Sequence, residues 1–474
     1  MVTESAGYQK EMIDAYEISE IKAEEITSLL DEYVGRYQGC FLNRSQEKYF
    51  GTFERGLLSD LERKTIEPMA LALLGEKDVR GFQQFFRRSA LPDDRLLEQY
   101  QRLLSEGVAA DDGFLCADGS DFPKRGTHSV GVARQHCGRL GKTENCQAGV
   151  LISYASEKSY GLIDRSLYLP KVWFSEEMRI RRMQSKVPAD VRFQIKNEIA
   201  SELIHQTVNS GRFPARWVGC DAAFGCDHNF LRSLPNSVKY FASVRENELV
   251  FTQRPEMLVP EGSSCKPGRR FKHPRPSIPP ISVGNVALDP SVSWQKRVLG
   301  EGAKGPIWAE VKCIRCVSCE SSTPYGNYVV PGDDIWLYIR KYEDDSIKYF
   351  VSNASSDPML STLDRLAAMR WSIEQCFQEC KSYLGMTHYE TRTYGEWRRH
   401  MLMVMIAHLF TLLLRLHLKK LHITMPMAKF LASAALQIQP DWNRTLCILR
   451  YHPFRNAAAY RSHRQRTFAR YCSL

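Results

Sequence analysis

Two aspartates each follow a short apolar run that is typical of a β-strand. Asp118 comes directly after residues 114–117, and Asp221 comes directly after residues 217–220. Aromatic and β-branched residues in such runs favour extended backbone. Ligand sites in α/β sheets collect where strands end. The sequence therefore predicts two carboxylates at strand ends, in positions suited to a site.

A third carboxylate lies in a charged segment with helical character, MRWSIEQCFQECK. Glu374 follows Arg370 by four residues, and Lys381 follows Glu374 by seven. These spacings correspond to about one and two turns of an α-helix, so the three side chains share one face. A carboxylate between two cations can bind a metal ion while the cations hold phosphate groups beside it.

Phosphodiester chemistry needs this combination of groups. Asp118, Asp221 and Glu374 are the predicted catalytic residues and metal ligands, because carboxylate oxygens can hold two divalent cations about 3.5–4 Å apart. One cation would activate water or a 3′-hydroxyl, and the other would stabilise the leaving oxygen. Mg²⁺ is the expected cofactor, since it takes oxygen ligands and keeps several waters, and we expect Mn²⁺ to substitute for it.

Other acidic residues compete for these roles. Asp121 lies near the first aspartate, but an Asp before a Phe-Pro pair also suits a turn. Asp227 lies beyond the second strand, where it suits a helix N-cap. Glu379 and Glu390 are alternatives to Glu374, although Glu379 comes five residues later and lies on a different helix face. The spacing favours Glu374.

Composition limits the possible functions. The 474 residues are enough for two or three packed units, and the 43% hydrophobic and 25% charged content is ordinary for a globular protein. The net charge of +10 suits a polyanionic partner, although solubility alone could also account for it. The sequence has no GxxxxGK[ST] loop, so nucleotide hydrolysis has no support.

Cysteine usage and hydropathy indicate a cytoplasmic protein. The chain has 14 cysteines, and its first residues are acidic without an apolar signal segment, so reduced thiols are expected. The longest strongly apolar run, residues 401–414, is too short to span a bilayer and contains a histidine. It predicts a buried core helix, and we expect no membrane contact.

Periodicity and composition divide the chain into five predicted regions. Helical spacing gives way to strands alternating with helices, which indicates an α/β layer. The regions are 1–110, a helical and DNA-binding domain; 111–250, the first part of the catalytic domain; 251–355, a Pro-rich basic connector and a β-rich insertion; 356–425, the helices that carry the Glu; and 426–474, a basic segment that is either a phosphate contact or a solvated terminus.

The segment KTIEPMALALLGEKDVRGFQQFFRRSAL has two alternative interpretations. It predicts a short helix, a turn at Gly75, and a second helix that carries Gln83, Gln84, Arg87 and Arg88. A DNA-binding helix-turn-helix has this pattern, and Arg87 and Arg88 would then contact DNA. A small helical bundle has the same pattern.

A basic, glycine-containing segment follows the first aspartate. It carries five cations that are opposed by one nearby acid, Glu144, and its glycines allow close approach of the backbone to a partner. We expect it to contact the DNA backbone, although a solvated hairpin is the alternative. The five predicted contacts are Lys124, Arg125, Arg134, Arg139 and Lys142.

Three cysteines form two overlapping CxxC spacings in CIRCVSC. Cys313, Cys316 and Cys319 would need a fourth ligand to bind zinc, and the nearest in sequence is Cys265 in the Pro-rich connector. Alternate residues of a strand point to opposite faces, so three cysteines on one strand would not all converge. We expect reduced structural cysteines rather than a zinc site.

Four segments, taken in order, resemble the bacterial insertion-sequence transposases of the DDE type. CADGSDFPKRGTHSVGVARQHCGRLGKTENCQAGV resembles the first-Asp region of that family, and LIDRSLYLPKVW the strand pair that follows. RWVGCDAAFG resembles the second-Asp strand, and RWSIEQCFQECKSYLGMTHYETRTYGEWRRHM the helix with the Glu. The resemblance extends over roughly residues 40 to 415.

The resemblance implies a ribonuclease H-like mixed α/β sheet with flanking helices, interrupted by a β-rich insertion and preceded by the helical region. It matches Asp118, Asp221 and Glu374 to the metal-binding acids. In the family's Tyr-Arg-Glu-Lys helix signature, this chain has Arg370 and Lys381 but Ala367 in place of the Tyr. The implied partners are double-stranded DNA, as terminal inverted repeats and target, and a second copy of the chain, in the bacterial nucleoid.

Three functions follow as alternatives. The first is a transposase that cleaves element ends and transfers their 3′-hydroxyls to target DNA. The second is a domesticated DNA-binding regulator without catalysis, which the missing Tyr and the Gly119-Ser120 pair after the first Asp would suit. The third is a nuclease that hydrolyses DNA without joining ends. The complete set of acids favours the first.

Overall fold

Five stretches of amphipathic sequence give the helices of the N-terminal region. A computed structural model describes residues 23–88, 91–259, 273–302, 305–322, 328–355, 360–418 and 424–436. Within them the first helices are α1 (Ala23–Gly35), α2 (Arg44–Leu58), α3 (Ile66–Leu73), α4 (Val79–Arg88) and α5 (Asp93–Val108). Gly75 lies between α3 and α4 with a φ of 91°, a conformation that glycine adopts without steric cost.

Some predicted features lie outside the described residues. These are the first 22 residues, residues 260–272 of the basic connector, which include Cys265, and the basic tail beyond residue 436.

β1 (Gly113–Pro123) is the central strand of the part of the sheet that carries the candidate site. It is followed by β2 (Ala133–Cys137), β3 (Lys142–Ala155), β4 (Tyr160–Tyr168), β5 (Ala215–Cys220) and β6 (Lys239–Val244). β3 pairs antiparallel with β1, β2 and β4, whereas β5 pairs parallel with β1 and with β6.

Parallel strands need crossover connections, and short helices supply them here. α6 (Arg179–Gln184) and α7 (Lys196–Asn209) precede β5, and α8 (Ala222–Gly225) and α9 (His228–Ser233) connect β5 to β6. The strand order is therefore β4, β3, β1, β5 and β6, with antiparallel pairs on one side of β1 and parallel pairs on the other.

The main strands of the β-rich region extend this sheet, whereas two of its short strands pair with each other in a separate two-stranded sheet. The main strands are β7 (Leu249–Phe251), β11 (Gln295–Gly302), β12 (Gly305–Ser322), β13 (Tyr328–Tyr342) and β14 (Ile347–Ser352). β14 pairs antiparallel with β6, and β13, β12 and β7 follow outward, with β11 also on β12. The short elements between β7 and β11 are β8 (Met257–Leu258), β9 (Arg275–Pro276), β10 (Ile281–Ser282) and α10 (Val283–Leu288), and β8 and β9 form the separate sheet.

A long apolar helix forms the centre of the core. It is α13 (Tyr394–His417), and it follows α11 (Leu360–Met369) and α12 (Trp371–Tyr383) and precedes α14 (Met425–Ala435). α13 is long and apolar enough to cross a membrane, but 78% of its apolar window is buried inside the protein. Residues 401–414 therefore form a core helix, as the sequence indicated.

The N-terminal helices share one hydrophobic core with the sheet and with α13. The Tyr33 hydroxyl donates a 2.8 Å hydrogen bond to the carbonyl of Ile406 in α13, and the Tyr100 hydroxyl donates to the carbonyl of Leu162 in β4. These buried bonds join α1 and α5 to later parts of the chain, so the helices have no separate core of their own.

A close contact between α8 and β6 can be tested by substitution. A Cβ on Gly225 would lie 2.0 Å from the carbonyl oxygen of Ser243. We expect Gly225→Ala to lower the free energy of unfolding by about 1–3 kcal/mol, because one of the two backbones must move. Urea unfolding of the full chain, followed by circular dichroism, measures this.

Gly395→Ala is the matched control, because a Cβ there meets nothing within 4 Å and the residue lies in α13. We expect its stability to stay the same or to rise slightly. Equal stability of Gly225→Ala and the unchanged chain would contradict the contact.

Candidate active site

Asp118 and Asp221 lie side by side where the parallel pairing of β1 and β5 ends. The last paired residues are Ala117 and Cys220, and each aspartate is the next residue of its chain segment. The sequence predicted that the first strand ends at Asp118, and this prediction was wrong. β1 continues to Pro123 because β3 still pairs with it on the other side.

Backbone N–H groups hold both aspartates. Asp221 caps α8, and its Oδ1 accepts hydrogen bonds from the N–H groups of Ala223 at 2.9 Å and Phe224 at 3.2 Å. The Oδ1 of Asp118 accepts a 2.6 Å hydrogen bond from the N–H of Gly119. These bonds orient the two carboxylates where the β1–β5 pairing ends.

The first aspartate carries an electrostatic cost. Protein atoms displace water from the Asp118 carboxyl, and the charge of Asp221 adds to this, so its pKa rises to about 7. Glu374 raises the same pKa further, whereas Arg370 lowers it. All four residues therefore share one electrostatic environment.

The helix with the Glu contributes an ion pair. Arg370 lies at the break between α11 and α12, and its Nη2 donates a 2.6 Å hydrogen bond to Oε1 of Glu374. Its Nη1 is buried and has no hydrogen-bond partner among the described residues. Because Arg370 keeps helical dihedral angles, it stays one turn from Glu374 despite the break.

Lys381 lies in the same environment, two turns along α12. Its pKa is lowered mainly by burial and by the charge of Arg139, while Asp118 and Asp121 raise it. Its Nζ lies 5.0 Å from the centre of the Phe377 ring. The structure thus brings Lys381 near the first aspartate and brings Arg139, from the basic hairpin, near Lys381.

The site in this conformation is not a preassembled metal cage. No three Asp, Glu, His or Cys side chains in the described part of the chain are grouped closely enough to hold a metal ion. Asp221 is engaged with backbone N–H groups, and Glu374 is engaged with Arg370. The donors are all carboxylate oxygens, and burial together with the charge of Asp221 raises the pKa of Asp118, so the set fits a hard divalent cation.

The two aspartates that compete with Asp118 and Asp221 in the sequence have hydrogen-bond or ion-pair partners of their own. Asp227 caps α9 by accepting from the N–H of Asn229 at 3.0 Å, and it also accepts a bond from the Asn197 amide. Asp121 accepts a 2.7 Å bond from the N–H of Gly138 and lies 3.7 Å from Lys196. Asp121 points to the opposite face of β1 from Asp118, since the two residues are three positions apart on the strand.

The two glutamates that compete with Glu374 in the sequence have hydrogen-bond or ion-pair partners outside the site. Glu379 is buried, and it accepts 2.7 Å hydrogen bonds from His408 and from the hydroxyl of Tyr160. Glu390 is exposed and pairs with Arg63. Neither is among the groups that act on the pKa of Asp118.

The predicted DNA-contacting cations differ in exposure. Lys124 turns inward: its Nζ donates a 3.1 Å bond to the carbonyl of Tyr389 and lies 3.4 Å from that ring, and burial lowers its pKa to about 8. Lys142 is exposed and pairs with Glu144 at 3.3 Å. The other exposed members are Arg87, Arg125, Arg134 and Arg139; the side chain of Arg88 lies outside the described part of the structure.

The three cysteines of CIRCVSC lie along β12. Cys316 is part of the main core, and Cys319 packs with Phe251 and Val317 in a smaller cluster. Burial raises the pKa of Cys316 to about 12. Their surroundings are those of structural thiols.

An exposed tryptophan beside the site was not among the predicted residues. Trp371 is the first residue of α12, next to Arg370, and 56% of its surface is exposed. A large exposed aromatic side chain at this position can stack on a nucleic acid base. Its place next to Arg370 in RWSIE was the available signal, but only the structure shows that Trp371 is outside the core.

A comparison with known protein families assigns the chain to one of them. Residues 36–306 match the family described as DDE superfamily endonuclease. The chain belongs to this family. The match includes Asp118 and Asp221 and ends before Glu374, and it confirms the DDE class that the sequence resemblance indicated.

Two individual proteins show weaker similarity to this DDE superfamily chain. A protein of Microchaete diplosiphon named probable transposase for insertion sequence element IS701 is 25% identical over 223 residues. The match includes 47% of this chain and 55% of the relative, so the chain spans about half the length of that relative. The piggyBac transposase synaptic complex with hairpin DNA, solved by cryo-EM, aligns with 90% of this chain and 77% of its own at 11% identity and a TM-score of 0.38, which does not establish a shared fold.

The raised pKa of Asp118 predicts a pH-dependent effect of its removal. An aspartate whose pKa is higher when folded destabilises the folded state as pH rises from its ordinary pKa toward 7. In a chelating buffer, Asp118→Asn should therefore raise the melting temperature at pH 8, and the gain should disappear as pH falls to about 4. Thermal unfolding at a series of pH values measures this.

Asp227→Asn is the matched control, since an asparagine oxygen still caps α9. A gain for Asp118→Asn that is the same at every pH would show that its carboxylate carries no such cost.

Proposed function

We propose that the chain is a DNA transposase of an insertion sequence, which cleaves element ends and transfers their 3′-hydroxyls to target DNA. The observation that carries the proposal is the placement of Asp118 and Asp221 at neighbouring strand positions, in the electrostatic environment of Glu374. The DDE superfamily match and the printed name of the Microchaete diplosiphon relative support it.

The proposed catalytic core is ribonuclease H-like. Support comes from the antiparallel strands β3 and β4 on one side of β1, the parallel strands β5 and β6 on the other, and the helices that cover them. β7 and β11–β14 would be the β-rich insertion between the second Asp and the Glu, joined to the core through β6.

Asp118, Asp221 and Glu374 are the residues that would hold Mg²⁺, and Mn²⁺ would substitute for it. When bound, the cations would supply an activated oxygen nucleophile and would stabilise the leaving oxygen of the phosphodiester. Glu374 is paired with Arg370, so its side chain must leave this ion pair before it can bind the cations together with the two aspartates. The released guanidinium would then be available to a phosphate of the DNA.

The cationic groups around the acids position the DNA strand. Nη1 of Arg370 is buried and has no hydrogen-bond partner in the described part of the chain, and a phosphate oxygen can satisfy it with a charge-assisted hydrogen bond. Lys381 places a further positive charge near Asp118, and Arg139 lies near Lys381. Trp371 offers a stacking surface for a base next to this phosphate site.

Joining two element ends requires both in one complex, so we propose a homodimer on double-stranded DNA. The bacterial cytoplasm, where the nucleoid provides target DNA, is the proposed location.

A DNA-binding regulator without catalysis is the second candidate. The observation that favours it is Ala367, which is buried where the insertion-sequence resemblance expects a Tyr, together with the pairing of Glu374 to Arg370. Binding of DNA without any metal-dependent cleavage would support it.

Removal of each acid tests the proposed metal site. Asp118→Asn, Asp221→Asn and Glu374→Gln should each lower Mg²⁺-dependent cleavage of duplex DNA by about 100-fold or more, because loss of a ligand costs more than the 10–100-fold known for outer-shell partners. Gel analysis of labelled duplexes that carry the element ends measures cleavage. Asp227→Asn and Glu390→Gln are controls that should keep activity. Cleavage by the three acid variants at the level of these controls would overturn the assignment.

Metal binding can be tested without catalysis. Mn²⁺ or Mg²⁺ should raise the melting temperature of the unchanged chain at pH 8, because a cation bound only by the folded state stabilises it. Asp118→Asn and Asp221→Asn should lose most of this rise. The same rise in the variants would place the cation elsewhere.

The reaction products separate a transposase from a nuclease. A transposase should give element ends covalently joined to a target plasmid through their 3′-hydroxyls. Free ends alone, with cleavage that still requires Asp118 and Asp221, would indicate a nuclease that does not transfer strands. Sequencing of the products measures the junctions.

A further inference from the structure

One face of α4 is polar and its opposite face is buried. Arg80, Gln83, Gln84 and Arg87 have the spacing i, i+3, i+4 and i+7, which places them on one side of the helix. Arg80, Gln84 and Arg87 are exposed, and Gln83 is half-buried. The other side carries Val79, Phe82, Phe85 and Phe86, all buried.

The aromatic side of α4 fixes the helix on the core. The rings of Phe86 and Phe53 stack with their centres 5.0 Å apart, and both lie edge-on to His400 of α13. The Arg399 guanidinium of α13 also donates to the carbonyl of Phe86. The polar face is therefore presented by a rigid element and not by a loop.

A cleft of about 400 Å³ borders this polar face. Arg80, Gln83, Gln84 and Arg87 line one side, and Gln184 and Lys186 line the other. Three cations and three amides are the charged and hydrogen-bonding groups of these two walls, and Lys186 is exposed.

One acidic residue, Glu396, also lines the cleft, and its carboxylate already has hydrogen-bond partners within the protein. Glu396 is buried, and its Oε2 accepts 3.0 Å bonds from the N–H groups of Arg392 and Thr393 as part of the capping box at the start of α13. Its Oε1 lies 3.3 Å from Nε of Arg87. The three cations on the walls therefore exceed this single negative charge.

Arginine and glutamine are the side chains that read base edges in duplex DNA. Arginine pairs with O6 and N7 of guanine and glutamine with N6 and N7 of adenine, both in the major groove. α3, the turn at Gly75 and α4 have the order of a helix-turn-helix, whose second helix enters that groove. Phosphate backbones flank a helix in that groove, and a cleft lined by Lys186 can receive one of them.

We propose that α4 and the adjoining cleft form a sequence-reading site for double-stranded DNA, separate from the site of the three acids. Gln83, Gln84 and Arg87 contact base edges, and Lys186 contacts the phosphate backbone beside the groove. The identification of this DNA as an element end rests on the proposed transposase function, whereas the site itself does not.

Selection from a random-sequence duplex library with the full-length chain tests the proposal. The unchanged chain should enrich a defined motif in a buffer with chelator, where cleavage cannot occur. Gln84→Ala should bind the enriched duplex about 5- to 150-fold more weakly and should enrich a motif that is degenerate at one or two positions. Alanine is a good helix former, so α4 should persist in this variant.

Lys186→Ala should act differently from the base-reading variant. It should weaken binding of all duplexes by a similar factor and lower the slope of log affinity against log salt by about 1, without changing the motif. Lys171→Ala and Gln38→Ala remove an exposed lysine and an exposed glutamine outside the cleft, so both should keep the motif and the affinity.

Two results would overturn the proposal: no enriched motif with the unchanged chain, or the same motif and affinity in a Gln83→Ala, Gln84→Ala double variant. Metal-dependent cleavage, measured separately, reports on the transposase function. If the chain enriches a motif that depends on Gln84 but never cleaves DNA, the sequence-reading site is supported and the transposase function is refuted. If the chain cleaves DNA but enriches no motif, the transposase function is supported and the sequence-reading site is refuted.

Discussion

The parallel pairing of β1 with β5 brings two negative charges together, and other parts of the site compensate for them. Because that pairing ends at Ala117 and Cys220, Asp118 and Asp221 cannot separate without breaking the sheet. Part of the cost appears in the raised pKa of Asp118. Arg370 and the backbone N–H groups at the start of α8 reduce it, and bound divalent cations would reduce it further.

α12 must present its acidic face to these aspartates, and a buried network on its other side determines its rotation. Glu379 accepts bonds from His408 of α13 and Tyr160 of β4, so α12 is joined to both elements behind the site. Burial of a carboxylate costs less free energy when it is hydrogen-bonded in this way. The residue that competed with Glu374 in sequence thus supports the helix that carries Glu374.

The shared core has a consequence for DNA binding. Since α13 packs against both the sheet and the N-terminal helices, α4 has a fixed position relative to the three acids. A duplex read by α4 would therefore meet the proposed catalytic site at a constant distance along the DNA. Rigid placement of this kind gives a nuclease a defined cleavage position without a contact to every base.

Local patterns in the sequence determined much of this protein. Strand-like runs before two aspartates, helical spacing around Glu374 and the apolar run of α13 each depend on neighbours within a few residues, and each was predicted. The family was predicted from four such segments in order, and the match over residues 36–306 confirms it.

Only the tertiary structure shows those features that depend on contacts between residues far apart in the sequence. β1 continues past Asp118 because β3 pairs with it, and the β-rich region extends the same sheet because β14 pairs with β6. Lys124 turns inward because Tyr389 lies beneath it, whereas Trp371 stays exposed beside the site. No sequence spacing encodes these outcomes, since each depends on which surfaces meet when segments that are distant in the sequence pack together.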